Sequence, residues 1–246
     1  VSAEGEFLLR PISTFAPALA GTVIASQRWS DVAFIHWRVE SDRVAPLLPA
    51  GIQPDIHAGS SWIGLIAFRL DCASLWGGPP IPYFGDFVEV NVRLYGVDEN
   101  GRRGVVFVSL EAARLAAVLA ARAAFSLPYH WARTSMSSDG DAIAYESSRH
   151  FSRTAGSRIV VRPSDVAVGA DPTATFLTAR WGLFTRRGGR TILLPNTHAP
   201  WPLVLARLVA IDDRLLARAG FPDLAVRQPD SVLYSTGLTA RFGRAA

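Results

Sequence analysis

Short apolar runs closed by Gly, Pro, Asn or Asp recur along almost the whole chain, a pattern of strands rather than of long helices. Residues 31–39 (DVAFIHWRV) are rich in β-branched and aromatic types and predict a buried strand, and 42–48 predicts one or two helical turns stopped by Pro49 and Gly51. Further strands are predicted at 62–71, 87–97, 104–111, 129–136, 143–150, 158–161, 181–186, 191–194, 204–211 and 231–240. The segment 204–211 fits the start of a helix equally well, and short helical pieces fall near 112–124, 173–179 and 212–219. So many strands with so little helix predict a closed or strongly curved sheet, because closure removes exposed edges.

One hairpin can be worked out in register. Asn100-Gly101 between two strand-like runs predicts a two-residue turn, pairing Val97 with Gly104, Tyr95 with Val106, Arg93 with Val108 and Asn91 with Leu110. Phe87, Glu89, Asn91, Arg93 and Tyr95 then share one face, and Val88, Val90, Val92 and Leu94 the other. The second face is ordinary core. The first sets Glu89, Asn91 and Arg93 among Val106, Val108 and Leu110, which suits a partly enclosed ligand cavity, where desolvation strengthens each polar contact. A solvated face carrying a cross-strand ion pair fits the pattern as well, and a three-residue turn would shift the register and remove the argument.

With 246 residues, 49% of them hydrophobic and 19% charged, the composition is that of a globular protein. No linker, repeat or low-complexity tract divides it, so residues 27–246 are assigned to a single domain and 1–26 to an N-terminal extension packed on it. The apolar stretches 15–25 and 115–125 fall short of the roughly 20 residues that span a bilayer. Glu4 and Glu6 near the start are unlike a secretory leader. A cytoplasmic protein without membrane partners is therefore expected, with the single Cys72 as a small core residue. All 25 cationic residues are arginine, so no side-chain amine exists to form an imine. A net charge of +4 spread along the chain, with the densest arginine groups at 149–162 and 180–190 lacking interleaved stacking aromatics except Trp181 and Phe184, argues against nucleic acid. The histidines at 36, 57, 130, 150 and 198 lack metal-type spacing, and no phosphate loop, dinucleotide fingerprint or nucleophile elbow is present. Neither a metal nor a cofactor is expected. The sequence does not decide between a monomer and a homo-oligomer.

Several segments carry a resemblance: FIHWRV at 34–39, LLPAGIQPD at 47–55, FVEVNVRLY at 87–95, GVVFVSLEA at 104–112, AARAAFSLPYHWA at 120–132, YESSR at 145–149, FLTARWGLF at 176–184 and HAPWPL at 198–203. Their order and density resemble the YqjF-like family of uncharacterised bacterial proteins, within the acetoacetate decarboxylase-like superfamily. The resemblance implies a mostly β (α+β) fold, a closed β-barrel or cone with a central cavity and a few short helices. It also implies a site. In acetoacetate decarboxylases a helix with a Gly-Arg-Glu motif leads to a Pro-Lys pair whose lysine forms the imine, and a glutamate on an earlier strand serves the same cavity. Arg122 here matches the motif's arginine, Ala123 replaces its glutamate, Pro128 matches the proline, and Tyr129 and His130 stand where the lysines would be. Glu89 matches the strand glutamate, while a further acidic position falls near Gly64.

The departure rules out imine catalysis and leaves a carboxylate, a phenol and guanidinium groups for non-covalent acid/base work on a carbonyl compound. Glu89, Tyr129 and Arg93 are the expected catalytic group, with Arg93 placed to hold Glu89 ionised. Asn91, Arg122, His36, His130, Arg149 and Tyr83 are the expected substrate contacts. For His36 a satisfied core histidine is the competing reading, and for Arg149 and Arg180 an internal ion pair. Tyr129 and His130 point to opposite faces if they lie on a strand, so only one can reach the cavity. His198 fits a loop anchor as well as a catalyst. The expected function is a lysine-independent lyase, aldol-type, cyclising or isomerising enzyme. A silent small-molecule-binding barrel is the alternative, and an interaction protein using Trp76 and Tyr83 a further one.

Overall fold

The computed structural model describes residues 11–152 and 154–244. Of the N-terminal extension expected at 1–26, residues 1–10 lie outside the described residues. From residue 11 the chain lies along the domain without regular structure: Ile12 packs against an apolar cluster with Leu183 and Leu194, and the Ser13 carbonyl accepts from Trp181 Nε1 at 3.0 Å.

The elements in order are β1 (Ala25–Val39), α1 (Ser41–Val44) running into a 3-10 turn, β2 (Ile52–Pro54), β3 (Ser61–Leu75), β4 (Phe87–Asp98), β5 (Arg103–Ala112), α2 (Leu115–Phe125), β6 (Tyr129–Asp139), β7 (Ala142–Arg149), β8 (Gly156–Ala167), α3 (Pro172–Thr178), β9 (Gly182–Arg187), β10 (Arg190–Thr197), β11 (Leu203–Asp213), α4 (Leu215–Arg218) and β12 (Ser231–Phe242). The chain is mostly β with a few short helices, and 204–211 lies in a strand. Only β2 had no counterpart in the sequence reading. It pairs with the end of β4, where a Cβ on Gly96 would lie 2.4 Å from Ile52 Cγ2, so only glycine admits the approach. Helix α3 starts on local chemistry: Asp171 accepts from the Thr173 and Ala174 amides at 2.7 and 3.3 Å, and Pro172 occupies the first turn.

Strands β12, β1, β3, β4 and β5 pair in that order as a continuous curved wall. Both margins of the wall fork. On β5, Leu110, Glu111 and Ala112 pair in parallel with the start of β6, while Val105 pairs with Leu183 of β9. On β12, Leu233 to Ser235 pair with β11, while Arg241 and Phe242 pair with β10. The ladders therefore close into two circuits that share the wall, one through β6, β7, β8 and β11 and one through β9 and β10. The first circuit is solid: Ile35, Trp37, Leu65, Val90 and Val92 meet Tyr145, Ile159 and Val161. The second is partly hollow, and it holds the polar face of β4.

The β4–β5 turn differs from expectation. It has three residues, with the Gly101 amide donating to the Asp98 carbonyl at 3.0 Å, Gly101 at φ +70, and Asp98 Oδ1 accepting from the Asn100 and Arg102 amides. Tyr95 consequently pairs with Val105 and Arg93 with Phe107. A bulge beyond Arg93 takes up Val108 and restores the expected pair of Asn91 with Leu110, with Glu89 opposite Ala112. Val106 and Val108 thereby turn into the solid core, and Val105 and Phe107 take their expected place on the cavity side. A second bulge overturns the core placement of Cys72. Arg28 pairs with Asp71 and Ser26 with Ser74, which leaves Cys72 out of the pairing at φ +51 with its thiol exposed. No described helix is long and apolar enough to cross a membrane.

Candidate active site

Alternation along β4 aims Glu89, Asn91 and Arg93 into the hollow circuit. Glu89 and Asn91 are 2% exposed. The parallel pairing of Leu110 with Tyr129 brings the first residue of β6 beside that face. Tyr129 Oη donates to Glu89 Oε2 at 2.8 Å, and Asn91 Nδ2 donates to Oε1 at 3.0 Å. Neither partner is charged, so burial prevails. It pushes the Glu89 carboxyl up to about 7, with the bonds from Tyr129 and Asn91 pulling back and Glu111 adding a smaller upward push. Burial and the neighbouring carboxylate push the Tyr129 phenol well above its ordinary range.

Arg93 lines the same cavity but does not hold Glu89 ionised, which corrects the expectation. Its Nε donates to Tyr95 Oη and its Nη2 to the Leu177 carbonyl, both at 3.0 Å, and its guanidinium lies over the Phe34 ring at 5.6 Å. These acceptors are neutral. Beside it Arg180 is 4% exposed, with Nε donating to the Phe176 carbonyl at 2.7 Å and Nη1 to Asp55 Oδ2 at 2.5 Å, while Nη2 is buried without a partner among the described residues. The other oxygen of Asp55 takes Arg103 Nη1 at 2.5 Å. One carboxylate thus serves Arg180 and Arg103, and Arg93, held by neutral acceptors, brings positive charge to this end of the cavity. Sequence reasoning treated a role for Arg180 in the site and an internal ion pair as rivals; the side chain lines the cavity and makes the ion pair.

The cavity has a volume of about 130 Å³, close to that of an engineered apolar cavity (about 150 Å³) that holds benzene. Trp29, Phe68, Phe107 and Trp201 give it aromatic walls. Besides Arg180 Nη2, the Oδ1 atoms of Asn91 and Asn196 are buried and, among the described residues, unpartnered on residues that line it, and such atoms are costly unless a ligand or water meets them. Asn196 lies on β10 beyond the strand expected at 191–194 and was missed as a lining residue; His198, which fits a loop anchor as well as a catalyst, also lines the cavity.

The other expected contacts lie elsewhere. His36 is fully buried one layer below, its Nε2 2.7 Å from Tyr95 Oη, and burial together with Arg93 and Arg180 keeps its pKa well below the usual range. It supports Tyr95 and is not a lining residue. His130 points to the opposite face from Tyr129, as strand alternation requires, toward Glu111 and Arg149. Arg149 makes a two-pronged pair with Glu111 at 2.9 and 2.6 Å, so the ion-pair reading holds. Arg122 is exposed on α2, where the winding of the helix turns it outward, and Tyr83 is 64% exposed under the Arg114 guanidinium at 4.0 Å. Neither reaches the cavity.

Solved structures share this architecture. Acetoacetate decarboxylase from Legionella pneumophila subsp. pneumophila str. Philadelphia 1 superposes with a TM-score of 0.63 at 13% identity, covering 100% of this chain and 98% of that one. The enduracididine biosynthesis enzyme MppR, complexed with the condensation product of pyruvate and imidazole 4-carboxaldehyde, gives 0.62 at 14% identity over 94% and 98% of the two chains. The fold is thus the acetoacetate decarboxylase-like one. At the level of sequence, the uncharacterized protein YqjF of Bacillus subtilis (strain 168) is 34% identical over 185 residues, 74% of this chain and 76% of that protein. Residues 26–239 match the DUF2071 family, described as an uncharacterized conserved protein, and this chain belongs to that family.

Proposed function

We propose that the chain is a lysine-independent enzyme of the acetoacetate decarboxylase-like fold, using Glu89 as a non-covalent acid/base on a small carbonyl compound that carries a carboxylate. The observation that carries this reading is the Glu89 carboxyl itself, buried in a cavity wall and poised at about 7. A group that titrates near the working pH both takes and returns a proton with little driving-force penalty. Arg93 and Arg180 supply the complementary charge for a substrate carboxylate and for the enolate oxygen that forms when a proton leaves the adjacent carbon. In that step the C–H bond breaks, its proton moves to a Glu89 oxygen, and its electron pair passes into the carbonyl. Tyr129 and Asn91 keep the carboxylate oriented, and the aromatic walls limit water. Lyase, aldol-type, cyclising and isomerising reactions all begin or end in this way. The pyruvate-derived product held by MppR makes 2-oxo acids the first class to try.

The commitment of the Tyr129 hydroxyl to Glu89, rather than to a vacant substrate position, favours a second reading in which the cavity holds its ligand without turnover. One experiment separates the two. Pyruvate, 2-oxobutanoate and acetoacetate are incubated with the protein in D2O, and loss of the proton signal next to the carbonyl is followed by NMR. Exchange above the buffer rate that disappears in Glu89→Gln supports the enzyme; binding without exchange supports the silent barrel. Exchange that persists in Glu89→Gln removes Glu89 from the mechanism.

A further inference from the structure

The chemistry proposed above uses one wall of the cavity, and the opposite wall carries an imidazole. His198 follows β10, which closes the hollow circuit across from β4, and it is 8% exposed. Its Nδ1 lies 2.7 Å from the Ala199 carbonyl oxygen. A carbonyl only accepts, so Nδ1 carries the hydrogen and Nε2 keeps a bare lone pair. Three indoles surround the ring, with centroid distances of 4.6 Å to Trp181, 5.2 Å to Trp201 and 6.3 Å to Trp29. Trp29 and Trp201 are stacked on each other at 5.9 Å and 8°. Tautomer and ring position are thus both set, yet Nε2 bonds to nothing among the described residues. A histidine that only anchored its loop would be complete with the Nδ1 bond and would have no need to line the cavity.

We propose that His198 Nε2 is the second proton-transfer atom of the cavity, acting across from Glu89 on the hydroxyl of a β-hydroxy carbonyl substrate. The proposal rests on the reading of Glu89 given above. In the cleavage direction Nε2 takes the hydroxyl proton and the O–H electron pair becomes the C=O of the departing aldehyde or ketone. The Cα–Cβ bond breaks, its pair forms the enolate, and the Glu89 carboxylic acid protonates that carbon. Solvent then removes the proton from His198 and restores the one on Glu89, so no amine, oxidant or reductant is required. Addition is the reverse. The surroundings favour the starting forms: burial keeps the imidazole neutral, with the Ala199 bond opposing and Arg93 adding to the effect, while the Glu89 acid persists up to about 7.

The test uses 4-hydroxy-2-oxopentanoate, with released pyruvate detected through lactate dehydrogenase and NADH, beside the deuterium exchange of pyruvate. His198→Ala is expected to lower cleavage by about 100-fold or more, far more than it lowers exchange, and added imidazole should restore part of the cleavage. His198→Gln fills the same space with an amide that cannot take a proton, so it should be as impaired as His198→Ala while melting like the wild type. Either variant cleaving at the wild-type rate overturns the proposal, as does a loss that tracks unfolding and is not rescued by imidazole. Exchange without cleavage in the wild type overturns the role of His198 and leaves that of Glu89 standing. Neither activity overturns both.

Discussion

Glu89→Gln should stabilise the protein at alkaline pH while removing its activity, and the size of the effect follows from the site. In the unfolded chain the carboxyl titrates at its ordinary value of 4.5, whereas burial raises it to about 7 in the fold. Between these values the native state holds more protons than the unfolded state, so stability falls as pH rises. The cost is absent below 4.5, grows through the interval and is complete above about 7. At 1.36 kcal/mol for each pH unit, the full cost of burying the charge is about 3 kcal/mol. Glutamine has the same shape and no charge. Its Oε1 can accept from Tyr129, and its amide can donate to Asn91 Oδ1, now buried without a partner among the described residues, once the Asn91 amide turns over.

The expected result is therefore two urea titrations that coincide at pH 4 and separate by up to about 3 kcal/mol at pH 8, with the variant the more stable. The other buried carboxyl with a raised pKa, Asp213 at about 6, is present in both proteins and cancels in the comparison. A variant that is equally stable or less stable at pH 8 would mean that the native carboxylate is already compensated, for instance by Arg93. Burial would then not set its proton affinity, and the acid/base reading would lose its basis. A stabilising substitution that abolishes turnover is the mark of a residue kept for function.

Tyr129→Phe removes the donor to Glu89 Oε2, so it should cost about 1–3 kcal/mol in stability at pH 8 and shift the pH midpoint of exchange upward, read from pH-rate profiles. Arg149→Met strands the buried Glu111 and should cost about 3–5 kcal/mol in urea unfolding without changing the KM of any substrate found, because the pair lies outside the cavity. Arg122→Ala and Tyr83→Ala, on the outer surface, should stay within about 0.5 kcal/mol of wild type and leave exchange unchanged. Borohydride added with pyruvate or acetoacetate should trap no side-chain adduct by mass spectrometry, since the chain has no lysine; a stable adduct mapped away from the N-terminal amine refutes this.

The strands were legible because apolar runs and turn residues report local geometry, and so was the polar face of β4, since period-two alternation survives any turn. The register of its partner was legible only in part. Asn100-Gly101 was read as a two-residue turn, but Asp98 caps a three-residue one, and the bulge at Val108 that cancels the slip has no local signal. Cys72 was misplaced for the same reason. Arg122 came from matching a motif whose function depends on which way a helix is turned, and only packing sets that. Arg180, Asn196 and His198 lie on segments that meet β4 through long-range closure of the sheet, and one chain's sequence does not encode that meeting as a pattern. Where the reading did fix orientation, at Tyr129 against His130, it rested on strand alternation alone.

The absence of lysine changes more than the choice of mechanism. An ammonium group beside Glu89 would hold the carboxylate ionised and make it an ion-pair partner, with its proton affinity driven down by the opposite charge. The resemblance puts a phenol, Tyr129, at that position, and a phenol gives one hydrogen bond and no charge. Burial, which an ion pair would have offset, is then free to set the affinity, and it sets it near neutrality. The cationic character of the site survives elsewhere: Arg93 leans on neutral acceptors and Arg180 shares Asp55 with Arg103. Because guanidinium groups stay protonated at any accessible pH, they can hold an anion but cannot exchange protons with it. In the proposed chemistry proton transfer falls to Glu89, the one carboxyl on the polar face of β4, and to His198 across the cavity, while binding falls to the arginines, a division of labour that a lysine serving as nucleophile and cation together would have merged.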